Sequence, residues 1–263
     1  MAYKPINVDF IINKITNKDI LFNGNYTIDP YQNCEFGCLY CDSNQDTKIY
    51  IKRNAPETLD KELKDLKKGR IIVGSVHDPY QRIEDVELIT RSLLRIIKKH
   101  RFYCHVLTKS DLVLRDSDII SEMNRSMVSI SICSCNTKTS KFFEKDVPTP
   151  KKRLNIISKL NSLGVKSGLS VIPILPYITD KELDQIIKSA IIHNAEYIIF
   201  KPLELKGNQK QYFLKKLKQF DSTLIKKYRN LYVDSILPNQ NYIKGLKSEI
   251  RKKCKLYGIR CKI

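Results

Sequence analysis

Tyr26-Thr-Ile-Asp29-Pro-Tyr-Gln-Asn-Cys34-Glu-Phe-Gly-Cys38-Leu-Tyr-Cys41 joins a short β-prone run to three cysteines within eight residues. Further β-prone runs follow at Arg70–Val76, Tyr103–Lys109, Met127–Cys133, Lys166–Leu175 and Tyr197–Leu203, with a seventh candidate at Leu231–Ile236. Helical patterns lie between them. Pro56–Lys68 puts Leu59, Leu63 and Leu66 on one face, and Glu84–Lys99 does the same with Val86, Ile89, Leu93, Ile96 and Ile97. Asp116 is placed to cap a short helix over Asp118–Asn124. Pro150–Leu163 carries Leu154, Ile157 and Leu160, with Gly164 suited to its C′ position. Asp180–Ile192 and Gln209–Arg229 complete the set. Strand then helix, repeated about six times, predicts a parallel sheet. Periodicity alone leaves open a (β/α) barrel and a doubly wound sheet, but both put chemistry at the C-terminal ends of the strands.

The chain has 263 residues, 42% of them hydrophobic, which is enough for a substantial core. No apolar run approaches the ~20 residues that span a bilayer. Met1–Asn13 lacks the apolar stretch of a secretory signal. These features predict a cytoplasmic protein with no membrane partner. The formal charge of +19 favours polyanions, with basic clusters at 98–101, 151–153, 226–229 and 251–253. The same surplus also fits the Lys-, Ile- and Asn-rich usage of an AT-rich genome. Eight cysteines in such a chain point to metal or redox chemistry rather than disulfides.

Three thiolates spaced as Cys34, Cys38 and Cys41 can wrap one corner of a cuboidal iron–sulfur cluster, and Gly37 can supply the positive φ of a tight wrap. Three ligands leave a fourth iron open. An open iron can be chelated by the amino and carboxylate groups of S-adenosylmethionine, whose sulfonium bond then breaks on electron transfer. Three alternatives stand beside this reading. A structural zinc needs a fourth ligand, and the next candidates are His77 and Cys104. A ferredoxin-type cluster needs a distant fourth cysteine. The cysteines can also be inert.

CxxxCxxC is the signature of the radical S-adenosylmethionine superfamily, which this chain resembles at the loop. Tyr40 stands at the aromatic position that packs on adenine in that superfamily. The resemblance extends to the branch related to spore photoproduct lyase through four further stretches. These are Gly74-Ser-Val-His-Asp-Pro-Tyr-Gln81, Leu107-Thr-Lys-Ser110 with Leu114-Arg-Asp116, Ser129-Ile-Ser131, and Val171-Ile-Pro-Ile-Leu-Pro176. The resemblance implies an α/β fold, a partial parallel (β/α)6 barrel over residues 1–204 with a helical C-terminal extension over 205–263. It also implies a [4Fe-4S] cluster on Cys34, Cys38 and Cys41. S-adenosylmethionine would be held by Tyr40, Ser75, Lys109 and Ser131. A low-potential donor such as ferredoxin or flavodoxin would supply the electron. A lyase- or transferase-type enzyme follows, abstracting a hydrogen atom from nucleic acid in modification or repair. A peptide, protein or small-metabolite substrate is the first alternative. A non-catalytic iron–sulfur or zinc nucleic-acid-binding protein is the second.

One departure matters. The lyase returns a hydrogen atom from a cysteine whose position here falls on Ser75. A hydroxyl O–H bond is too strong for that step, so the chain is not expected to be a spore photoproduct lyase in the strict sense. Cys133 and Cys135 follow Ser131 at spacing two. In an extended strand they would face the barrel mouth, as replacement hydrogen donors. With Cys254 and Cys261 they could instead hold a second cluster, or all four could be buried structural cysteines. His77, past the second strand, is a candidate proton carrier.

Overall fold

A computed structural model describes residues 2–41, 48–233 and 235–263. Seven parallel strands form the main sheet: β1 (Tyr26–Ile28), β2 (Arg70–Val73), β3 (Tyr103–Thr108), β4 (Met127–Ser131), β5 (Ser167–Ile174), β6 (Tyr197–Pro202) and β7 (Arg260–Lys262). Each is hydrogen-bonded to the next in sequence, and Asn13–Lys14 pairs antiparallel with β1 at the edge. Strands β2 and β5 are buried almost throughout, as a sheet covered on both faces requires. The sheet curls into a partial barrel. Tyr197 at the start of β6 brings its hydroxyl within 3.4 Å of His105 on β3, although two strands lie between them.

The helices cover this sheet, and the main core lies between the two layers. Leu59, Leu93, Ile97, Leu154, Ile157, Ile186 and Ile187 are all buried in it. Gly164 ends the Pro150–Ser162 helix at φ +76, the role its position predicted. The expected Glu84–Lys99 helix is two helices, Glu84–Glu87 and Ile89–Lys99, broken at Leu88. The buried Glu84 carboxylate accepts the Thr90 and Arg91 N–H groups and so starts the second helix itself. The 209–229 helix likewise divides, into Gly207–Phe220 and Leu224–Leu231, where Asp221 accepts the Thr223 N–H. Leu231 therefore closes a helix instead of opening a seventh strand; Asp234, within that run, lies outside the described residues. Asp116 does not cap a helix either. It is buried, and its carboxylate accepts from the Tyr80 hydroxyl, Arg91 and Arg115.

The C-terminal stretch is helical, and its last helix, Gln240–Leu256, packs Leu246 and Ile250 into the main core. It then returns to the sheet as β7. A small separate sheet pairs Ala2–Ile6 with Lys48–Lys52 and Tyr31–Gln32 beside the cysteine loop.

Gly168 on β5 admits the Tyr197 ring: an added Cβ would lie 2.5 Å from the Tyr197 carbonyl oxygen and 2.6 Å from its ring. Gly168→Ala should cost about 1–3 kcal/mol by overpacking, read as a lower urea midpoint with unchanged slope.

His105 gives a pH dependence. Burial first, then Arg70 and Lys262, push its imidazole down to about 3. The unfolded chain therefore binds one more proton between that value and about 6.5. Stability from this group is complete above about pH 6.5 and falls by about 1.4 kcal/mol per unit as the pH drops below it. The urea midpoint should fall between pH 7 and pH 5, and fall less in His105→Gln.

Candidate active site

Two buried aspartates lock the strand ends together. Asp29, just past β1, accepts the Val76 and His77 N–H groups at 2.9 and 3.0 Å and the Ser75 hydroxyl at 2.9 Å. Asp78, past β2, accepts the Thr108 hydroxyl at 2.7 Å and the Lys109 N–H at 2.8 Å at the end of β3. Three consecutive loops are thus fixed through carboxylates, each bond being charge-assisted. Gly74 is required between them: its φ is +84, and a Cβ would lie 2.7 Å from the Leu107 carbonyl oxygen.

The cysteine loop is pinned from several sides. The Gln81 amide accepts the Glu35 N–H and donates to the Asn33 carbonyl, both at 3.0 Å. Leu39 N–H donates to the Phe143 carbonyl at 2.9 Å, and the Gln209 amide to the Tyr40 carbonyl at 2.6 Å. Gly37 turns the loop at φ +60. Beneath it lies a fully buried ion pair, Arg153–Glu144, at 2.6 Å. Glu144 also accepts the Tyr40 hydroxyl, while Arg153 donates to the Ser131 carbonyl at 2.6 Å and the Ser140 hydroxyl at 2.8 Å. Burial opposes the Glu144 charge, but Arg153 and Lys109 outweigh it and hold the carboxyl below its ordinary range. Burial likewise opposes the Lys109 charge, and Cys38, Glu144 and Asp78 reverse the balance and raise it.

These elements enclose a cavity of about 330 Å³ at the C-terminal ends of the strands. Cys34, Cys38 and Cys41 line it together with Tyr40, Ser75, Lys109 and Ser131, so seven residues singled out in the sequence meet around one space. Ser170, Lys201 and Asp78 line it too. Ser170 pairs in register with Ser131 on the neighbouring strand. Lys201 is the one cation inside the β6 run, which was its only signal in the sequence.

His77, Cys133 and Cys135 are not among the lining residues. The strand expected to carry both cysteines to the mouth ends at Ser131. Cys133 is fully buried among Phe36, Cys38, Tyr40 and Phe143, behind the loop. Ser134 then turns the chain by bonding Glu182, which also accepts the Cys135 N–H. The four cysteines considered for a second cluster are not brought together. Cys254 and Cys261 bond each other. Cys261 stands on β7, three strands across the sheet from β4, about 14 Å at ordinary strand spacing.

The donor set suits a metal–sulfur group. Burial raises the Cys34 thiol and pushes the Cys38 thiol up to about 12, so neither is a free thiolate. Metal coordination deprotonates such thiols outright, and Lys109 offsets the charge that results. Among the described residues no three His, Cys, Asp or Glu side chains already stand as a closed ligand set, the loop cysteines included. What the loop supplies is three sulfurs on the wall of one cavity.

A parallel, barrel-like sheet with a three-cysteine loop past its first strand defines an enzyme class, and comparison with known proteins agrees. The family model for the Radical SAM superfamily matches residues 28–190, and the chain belongs to that superfamily. An uncharacterized protein of Methanocaldococcus jannaschii is 29% identical over 237 residues, covering 84% of this chain and 89% of that one. An uncharacterized protein of Mycobacterium tuberculosis is 27% identical over 241 residues, covering 84% and 71%. Among solved structures, a spore photoproduct lyase mutant with bound AdoMet and dinucleoside spore photoproduct superposes with a TM-score of 0.68 at 15% identity. The match covers 90% of this chain and 76% of that one and concerns the fold.

Proposed function

We propose that this radical SAM enzyme acts on nucleic acid, with Cys34, Cys38 and Cys41 holding a [4Fe-4S] cluster. The observation that carries the cofactor reading is the meeting of these three cysteines with Lys109, Ser75 and Ser131 in one cavity. When bound and reduced, the cluster supplies the electron that breaks a carbon–sulfur bond of S-adenosylmethionine, giving the 5′-deoxyadenosyl radical that takes a substrate hydrogen. Lys109, charged and fixed through its backbone by Asp78, pairs with the methionyl carboxylate or a ribose oxygen. Ser131 and Ser170 offer adjacent hydroxyls to the same polar edge. Ser75 is held by Asp29 at the rim. A donor of the ferredoxin or flavodoxin type supplies the electron.

The net charge of +19 supports the nucleic-acid substrate, as does a fold shared with a lyase crystallised with a dinucleoside. No thiol other than Cys34, Cys38 and Cys41 lines the cavity among the described residues, so hydrogen return by a cavity cysteine is not part of the reading. The test is anaerobic turnover with dithionite, following 5′-deoxyadenosine with and without oligonucleotides. Stimulation by oligonucleotide, with binding that weakens steeply as salt rises, is the expected result. Deoxyadenosine formation indifferent to every oligonucleotide, with no salt-dependent binding, would move the substrate to a peptide or small metabolite.

A further inference from the structure

The N-terminal end of the barrel holds a second cavity, of about 500 Å³. It is lined by the first residues of several strands: Arg70 of β2, Met127 of β4, Tyr197 of β6 and Arg260 of β7. Leu21 and Phe22 line both this cavity and the upper one. In an enzyme of this fold the chemistry sits at the other end, so nothing in the proposed reaction uses this space.

Two observations mark it as more than a packing defect. The first is charge. Arg70, Lys166, Arg260 and Lys262 face it, against a single acid, Glu196. The second is a pair of orphaned polar atoms. His105 is 1% exposed and its Nδ1 has no hydrogen-bond partner, while its Nε2 meets the Ser129 hydroxyl at 2.7 Å. Arg70 is 9% exposed; it donates to the Phe22 and Arg125 carbonyls but leaves Nε–H without an acceptor. A buried polar group left unsatisfied costs about 1–3 kcal/mol, so such groups ordinarily have a partner. The walls are flat: the Phe22 and Tyr197 rings meet His105 edge-on, with centroids 5.1 and 6.1 Å away.

We propose that this cavity is a second binding site, for a small phosphate-bearing anion with a flat ring, of the kind a mononucleotide presents. Arg70 Nε–H and the rim cations take the phosphate, and Phe22 and Tyr197 flank the ring. The site is independent of the radical chemistry.

The experiment is calorimetric titration of the cluster-loaded protein, under anaerobic conditions, with AMP, inorganic phosphate and adenosine. Each titration is run with and without excess S-adenosylmethionine. AMP should bind more tightly than phosphate, adenosine should not bind, and S-adenosylmethionine should leave the AMP affinity unchanged. Lys262→Glu and Lys166→Glu lie at the solvent side, where folding is not at risk, and each should weaken AMP about tenfold. Four results would overturn the site: AMP fails to bind, adenosine binds equally well, S-adenosylmethionine displaces AMP, or both charge-reversed variants bind it undiminished.

Discussion

Cys38→Ala should abolish 5′-deoxyadenosine formation and reduce bound iron from about four atoms per chain to almost none. The effect is large because the loop has no spare ligand. Cys34, Cys38 and Cys41 are the only cysteines lining the upper cavity among the described residues, and two sulfurs cannot hold a cuboidal cluster. Nearby Cys133 is fully buried beside Cys38 and bonded to Glu144, so it cannot take over without unpacking the core behind the loop. Cys135→Ala is the informative control. Cys135 sits by Glu182 and Ser189, outside the cavity, and its loss should leave iron content and turnover intact. Iron near eight atoms in the wild type, falling by half in Cys135→Ala, would restore a second cluster and contradict the placement of these thiols.

Glu144→Ala should be the most destabilising single change, at about 3–5 kcal/mol. Both members of the Arg153–Glu144 pair are wholly buried. Removing one leaves a buried charge without its counter-ion, which costs far more than the intact pair contributes. The Tyr40 hydroxyl loses its acceptor at the same time. Replacing both charges, as Glu144→Leu with Arg153→Met, should recover much of the loss, because apolar groups need no compensation. Urea denaturation of the four proteins measures the difference. If the single and double variants are equally unstable, the ion pair is not what holds the loop.

The six strands of the barrel were legible because each is a run of β-branched and aromatic residues, and the observed bounds fall within three residues of those expected. The seven cavity residues were legible for another reason: a parallel sheet gathers whatever follows its strands. What escaped lacks local signal. β7 is Arg-Cys-Lys, and Ala2–Ile6 is almost wholly exposed, so neither shows a buried face in its pattern. Helix breaks at Leu88 and Asp221 depend on which carboxylates reach which N–H groups. Arg153 and Glu144 are ordinary surface types nine positions apart, and only the tertiary fold reveals that they are buried together. Cys133 and Cys135 were misplaced because alternation predicts facing only while a strand continues, and this one stops at Ser131.

The brevity of the outermost strands has a consequence for solubility. Asn13–Lys14 on one side and Arg260–Lys262 on the other present only two and three residues of unpaired backbone, and three of those five side chains are cationic. An exposed strand edge is a template for recruiting another chain, and short, lysine-bearing edges are how soluble proteins blunt it. A sheet with so apolar an interior is thereby kept from growing sideways into aggregates.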